Sequence, residues 1–402
     1  MAANLFRIND QQRRARLGRR HHLAGSARAG DVVTVAGDLV GLHGSDPAAV
    51  FLSARARLRR PEGTVAGLEA ALYGERTLVR TLCMRRTMFV VPLDLVPVVQ
   101  AAVTDALVPG ERKRLVKMVE ESGIADDGAA WLAAAEAATV AELTARKEAT
   151  GAELSRAIPA LAHQIAVGEG KAWAGTIGMS TRVLFLLSTG QRVVRGRPRG
   201  TWSSSQYRWS PMEAWLPSGV PTMPADVARA ELTRRYLASF GPATTNDLKW
   251  WTGWTVAYTK AALMAVNAVE VALAEGTGWV LPGDEGPVRA PGRWVALLPS
   301  LDPTTMGWQQ RAWYLGGHGS ALFDRNGNAG PTVWVDGRVV GGWAQRRSGE
   351  IVHRLLEDTG GETAAAVAEA AVELQTWFGP MRITPRFPTP LQKTLSAGEL
   401  DK

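Results

Sequence analysis

Residues 42–49 read Leu42-His43-Gly44-Ser45-Asp46-Pro47-Ala48-Ala49, and the fold is decided by what this stretch does. His43-Gly44-Ser45 breaks the apolar pattern before it. Asp46 or Ser45 offers a side-chain oxygen to cap a new helix, and Pro47 suits its first position, where a backbone N–H would have no intrahelical partner. The spacing predicts a helix over residues 48–58, carrying Arg55 and Arg57, and another over 65–73. Upstream, residues 32–42 have helical apolar spacing, and a basic run from Arg13 to Arg20 precedes them. Downstream, two β-rich runs at 77–84 and 87–91 flank Arg85 and Arg86. Helices followed by a hairpin are the order of a winged helix, a helix-turn-helix variant.

The order recurs twice. After a long helical pair (94–121 and 128–146), short helices at 151–159 and 180–188 lead into Arg192-Val193-Val194-Arg195-Gly196-Arg197-Pro198-Arg199-Gly200-Thr201-Trp202. This reads as a hairpin with Gly and Pro at the turn, Arg at its tip, and a return strand over 203–209 that includes Arg208. A third pass places helices at 225–239, 245–251 and 256–266 before paired strands at 269–274 and 278–281. Beyond Pro291, strand-like runs at 294–298, 332–335 and 338–342 alternate with Asp/Asn/Gly turns, and a late helix at 363–378 precedes a Pro-rich tail. The domains expected are 1–125, 126–222, 223–286 and 287–402.

Composition agrees with several packed domains: the chain has 402 residues, 46% hydrophobic and 21% charged. The formal charge is +8, and its distribution is uneven. Residues 1–60 hold eleven Arg against four Asp (Asp10, Asp31, Asp38, Asp46), and residues 170–212 hold six Arg and one Lys with no acid. Two such zones point to a phosphate-bearing partner, with a solubilising surface as the plainer reading. On this basis Arg55, Arg57, Arg85, Arg86, Arg192, Arg195, Arg197, Arg199 and Arg208 are candidate backbone contacts, and Trp202 is a candidate base-stacking residue. Most of the fifteen Trp are expected in the core. One cysteine, Cys83, excludes a disulfide framework or a Cys-rich metal site, and the six His have no metal-ligand spacing, so no metal or cofactor is expected. The apolar run at Phe89 is broken by Pro92 and Asp94, and no apolar leader follows the basic start. A soluble, cytoplasmic, nucleoid-associated protein is expected.

Several short elements resemble the AlkZ/YcaQ-type winged-helix family, which contains bacterial DNA glycosylases that excise bulky alkylated bases and unhook crosslinks. They are residues 42–49, Met84-Arg85-Arg86-Thr87-Met88-Phe89-Val90-Val91-Pro92, Trp250-Trp251-Thr252-Gly253, Leu298-Pro299-Ser300-Leu301-Asp302 with Gly307 and Arg311, and residues 335–343. Their order and spacing together are more specific than any one of them. The resemblance implies an α+β protein of three tandem winged-helix domains forming a C-shaped cleft, plus a C-terminal small β-barrel. It also implies that Asp302 and Arg311 face the cleft, although a structural ion pair suits them equally.

The chain departs from the family pattern where a Gln-x-Gln or Gln-x-Asp pair precedes the Asp-Pro helix: His43 and Ser45 stand there. Phe89 stands where many relatives have a histidine. A neutral imidazole with a pKa near 6.5 is a competent base at neutral pH. On this reading His43 and Ser45 handle the water, and Asp46 fixes the imidazole or stabilises a sugar cation. The plainer reading makes His43 a loop residue and Asp46 a simple cap. The resemblance therefore implies a monofunctional glycosylase acting on bulky or N7-alkylated purines in double-stranded DNA as a monomer, in alkylation repair or antibiotic self-resistance. The alternative is a non-catalytic winged-helix DNA-binding protein, a regulator or lesion binder.

Overall fold

The computed structural model describes residues 5–59, 63–168, 170 and 174–398 as a mixed helix-and-sheet protein. The chain separates into two compact units, Met1–Glu69 with Arg229–Lys402, and Ala70–Ala228.

In the first unit, Asn9 caps the helix Asp10–Arg20 by accepting from Gln12 N at 2.9 Å; Asp10 in the first turn and Arg19 and Arg20 in the last complement the helix dipole. Asp31 caps Val32–Asp38 in the same way. This helix stops four residues short of the expected end. Val40 and Gly41 take positive φ (53° and 104°), and Leu42–His43 continues as a short extended segment. Asp46 then caps Pro47–Arg55, with Pro47 in the first turn as expected.

The later part of this unit follows the expected order closely. The helix Ala225–Phe240 leads into Thr245–Thr252, which is opened by a capping box of Thr244 and Asp247 and closed by left-handed Gly253. Val256–Ala265, capped by Thr255, comes next. The strands Val269–Leu273 and Gly276–Val280 then pair antiparallel, and the N-terminal segment joins their edge through Ile8 N to Ala272 O at 3.0 Å.

The four C-terminal strands Val295–Leu298, Thr332–Val335, Arg338–Gln345 and Ile351–Leu355 pair antiparallel in that order. The sequence reads here as a small β-barrel or a curved sheet with a closing helix, and the described residues form an open ladder whose first and last strands do not pair. Helix Gly361–Phe378 packs on Val295–Leu298 and Ile351–Leu355. Within the Pro-rich tail, Pro390 opens a further helix that the sequence reading did not include, Pro390–Ala397, packed on Arg338–Gln345. Asp336 and Gly337 both take positive φ (48° and 86°), so this Asp-Gly pair makes the primed turn that suits a twisted hairpin. Tryptophans fill the core with their N–H groups satisfied: Trp343 donates to Leu298 O, Trp334 to Thr332 Oγ1 and Trp308 to Phe240 O, all at 2.9–3.0 Å.

In the second unit, strands Leu78–Leu82 and Met88–Pro92 pair from Leu82↔Met88 outward. The helical run Leu93–Glu121 is apolar enough in part to meet a membrane-span criterion by length and composition. Its Leu95, Val96, Val98, Val99 and Ala102 are buried within the protein. Helix Gly128–Arg146 follows, then Ala149–Thr150, and Gly151–Ala157 behind a Thr150/Glu153 capping box. A hairpin of Gln164–Val167 with Gly175–Gly178, absent from the sequence reading, precedes helix Met179–Thr189. Strands Val193–Pro198 and Tyr207–Pro211 pair, and Ala149–Thr150 adds a third strand beside the latter. The return strand thus starts at Tyr207, not Ser203, so Arg195 and Arg197 lie along a strand and only Arg199 reaches the connecting loop.

Candidate functional site

The loop before Pro47–Arg55 is irregular, as a site built on positions 43 and 45 requires. On a helix the 43/45 spacing would point the two side chains apart, whereas the two positive-φ residues just upstream reset the chain direction. Asp46 Oδ1 accepts from Ala48 N at 3.0 Å, which places its carboxyl at the positive end of the helix. Arg386 Nη1 donates to Ser45 O at 2.7 Å and ties the loop to the C-terminal segment. Ser45 and Asp46 are half-buried, but His43 is only 4% exposed. Asp46 lines a small cleft with Ser300, Gln345 and Gln392, and His43 is not part of that lining. Sequence reasoning missed Gln392 because it belongs to the unanticipated last helix.

Asp302 sits elsewhere in this unit, beneath the helix that the loop begins. Its Oδ1 accepts from Arg57 Nη2 at 2.6 Å and from Thr304 N at 2.9 Å; its Oδ2 accepts from Arg57 Nη1 at 2.8 Å and Ser53 Oγ at 2.7 Å. Arg57 Nη2 also donates to Thr304 Oγ1, which lies 2.7 Å from His21 Nδ1, and His21 Nε2 is 3.2 Å from Ser239 O. Ser239 O can only accept, so Nε2 carries the proton of the neutral imidazole and Nδ1 accepts from the Thr304 hydroxyl. Burial, with Arg57 nearby, holds the His21 pKa well below 6.5.

Three expectations are corrected here. Asp302 and Arg57 are both 0% exposed, so Asp302 does not face a cleft and Arg57 is a structural cation instead of a phosphate contact. Nor do Asp302 and Arg311 pair. The Arg311 guanidinium lies between the rings of Trp250 (5.0 Å) and Phe323 (4.6 Å), with Nε donating to Trp308 O at 2.9 Å. Arg55, also in this unit, is half-buried beside the Trp377 ring at 5.8 Å.

The remaining basic candidates lie in the second unit. Arg85 and Arg86 are the central residues of a turn closed by Thr87 N to Met84 O at 3.1 Å, with φ of 54° and 59°. This is primed-turn geometry, which normally selects Asn or Gly, and two arginines hold it here. Arg192, Arg197 and Arg199 are exposed. Arg195 is half-buried with its guanidinium 5.1 Å from the Trp209 ring, and Arg208 pairs with Glu148 at 3.4 Å. Trp202 is 7% exposed and belongs to the core, which corrects its assignment as a base-stacking residue. Burial pushes the Cys83 thiol up, so it stays protonated. No group of three or more His, Cys, Asp or Glu arranged for a metal occurs among the described residues.

The structure is similar to that of Streptomyces sahachiroi DNA glycosylase AlkZ, with a TM-score of 0.70 over 94% of this chain and 99% of that one, at 19% identity. At that identity the likeness is one of fold. No protein of curated function matches the sequence. A family model described as DNA glycosylase AlkZ-like matches residues 36–377, a span that takes in the 42–46 loop and the Asp302 network. This chain belongs to the AlkZ-like DNA glycosylase family.

Proposed function

We propose that this chain is a monofunctional DNA glycosylase that hydrolyses the N-glycosidic bond of bulky or N7-alkylated purines in double-stranded DNA. The family match across residues 36–377 carries the reading. In it, each of the three successions of helices ending in a hairpin is a winged helix. The protein acts as a cytoplasmic, nucleoid-associated monomer in alkylation repair or in self-resistance to a genotoxic antibiotic.

Such a reaction passes through a sugar cation, so the site has to stabilise positive charge and present a water to the far face once the nucleotide leaves the stack. An N7-alkylated purine is already cationic and departs with little acid assistance. The half-buried carboxylate of Asp46 suits the charge-stabilising role, with Ser45 beside it to orient water. His43, two residues before Ser45, is buried and is assigned to positioning the loop. The first lysine of the chain is Lys113, so the 42–46 loop offers no nearby amine in sequence for a Schiff base.

One observation favours a second reading, a DNA binder without excision activity: His43 replaces the first family glutamine and is 4% exposed. A single-turnover assay separates the two. Duplexes holding one N7-methylguanine or one bulky N7 adduct are incubated with excess protein, and abasic sites are scored by alkaline cleavage. Excision is expected, and it should fall sharply in His43→Ala with duplex affinity retained. Tight binding without abasic sites on either duplex would establish the binder.

A further inference from the structure

The second unit contains an open cavity of about 320 Å³ that no part of the proposed chemistry uses. Four arginines from four elements line it. Arg86 comes from the turn after Leu78–Leu82, Arg114 from the helix Val108–Glu121, Arg182 from the first turn of Met179–Thr189, and Arg195 from Val193–Pro198. A single carboxylate faces them. Glu111 accepts from Arg114 at 2.8 Å and from Arg86, and among the described residues Arg182 has no acidic partner.

Four guanidiniums around one carboxylate leave the walls with a net charge of three. Like charges held this close repel, and a bound anion relieves that cost. The helix carrying Arg182 adds to the effect. Its N-cap residue is Gly178, which has no side chain, so the N–H groups of its first turn receive no side-chain cap and the Ser180 and Thr181 hydroxyls stand beside them. The lining is also aromatic. Phe185 and Trp209 present aromatic surface, with Arg195 laid over the Trp209 ring. A cavity of this size, lined by guanidinium groups and aromatic rings, matches a phosphate linked to a flat base.

We propose that this cavity is a nucleotide subsite, taking one backbone phosphate between Arg182, Arg114 and the helix N-terminus, with the adjoining base against Trp209. The source of the nucleotide, a strand of DNA, rests on the function proposed above; the phosphate-plus-base chemistry does not. Arg114 lies outside both acid-poor zones of the sequence, and neither it nor Arg182 was among the sequence candidates.

The test is the salt dependence of binding to an undamaged fluorescent duplex, together with calorimetry using dGMP and inorganic phosphate. Arg182→Gln should lower the log–log salt slope by about one unit, Arg182→Gln with Arg114→Gln by about two, and Arg182→Lys should restore most of it. Trp209→Leu should weaken binding about tenfold or more with the slope unchanged. Circular dichroism and urea unfolding exclude misfolded variants. An unchanged slope in folded Arg182→Gln overturns the subsite. So does micromolar dGMP binding that is lost in Arg182→Gln with duplex binding intact, which assigns a free nucleotide. A lowered slope in a protein that excises nothing supports the subsite and rejects the glycosylase reading, so the two fail separately.

Discussion

Arg57 and Asp302, 245 positions apart, form a bidentate ion pair at 2.6 and 2.8 Å with neither side chain exposed to solvent. Every Asp302 lone pair that faces a donor is used, by Arg57, Ser53 and the Thr304 backbone. A buried pair gives little net stability over apolar packing, but breaking it strands a charge. Since Ser53 and Arg57 lie in and just after the helix that begins at Pro47, the pair fixes the helix on which the candidate loop stands. Arg57→Met is expected to cost about 3–5 kcal/mol in urea unfolding, and Arg57→Met with Asp302→Leu to recover much of it. The salt slope of duplex binding should stay unchanged in whatever Arg57→Met folds. A lowered slope would return Arg57 to the phosphate contacts.

The His21 branch of this network makes stability depend on pH. The folded-state pKa is held well below 6.5 by burial and by Arg57, so below about pH 6.5 the unfolded chain binds a proton that the folded chain refuses. Stability is therefore fully present above that pH and is lost as pH falls, by up to about 1.4 kcal/mol per unit from this one group. His21→Phe should preserve packing against Phe240 and Trp308 in part, while lowering stability at pH 7.5. Its stability should then fall less steeply than the parent between pH 6.5 and 5. Parallel slopes in the two proteins would show that His21 titrates normally.

Local chemistry made much of this fold legible. The Asp46-Pro47 cap and the Asp336-Gly337 turn each have a short-range cause and occur where the sequence places them. What escaped depends on distant packing. Arg57 has the composition of a surface arginine, and only Asp302, far along the chain, makes it a core residue. Trp202 reads as a stacking residue until its burial is seen. The helix ending at Asp38 has apolar residues beyond it that continue the helical period, and its early stop comes from the positive φ of Val40 and Gly41. At the site, the loop and its cap were legible, whereas the depth of His43 and the cleft shared by Asp46 and Gln392 were not.

The turn at Arg85 and Arg86 places two long side chains in a backbone region that costs an L-residue roughly 1–2 kcal/mol each. Such a turn persists where the side chains have a use. Arg85→Gly should therefore raise stability by several tenths to about 1 kcal/mol, with duplex affinity falling and the salt slope dropping by about one unit. Thermal unfolding and a binding titration on the same sample read both effects. A more stable variant with undiminished affinity would assign the strain to folding history, not to DNA.

Asp46 carries two functions that substitution can separate. As a cap it accepts from Ala48 N, a role that asparagine fills about as well and alanine does not. As a carboxylate at the edge of a cleft it is the group proposed to stabilise the sugar cation, a role that needs its charge. Asp46→Asn should then unfold within about 0.5 kcal/mol of the parent, and Asp46→Ala about 1 kcal/mol below it. Excision should fall in both by roughly 10²–10⁴-fold, the range for loss of one charged or proton-handling group. If Asp46→Asn excises at the parental rate and Asp46→Ala loses activity only in proportion to its stability, Asp46 is a cap alone. The water and the developing charge would then be handled by Ser45 and His43, and His43 would have to move out of its buried position to reach them.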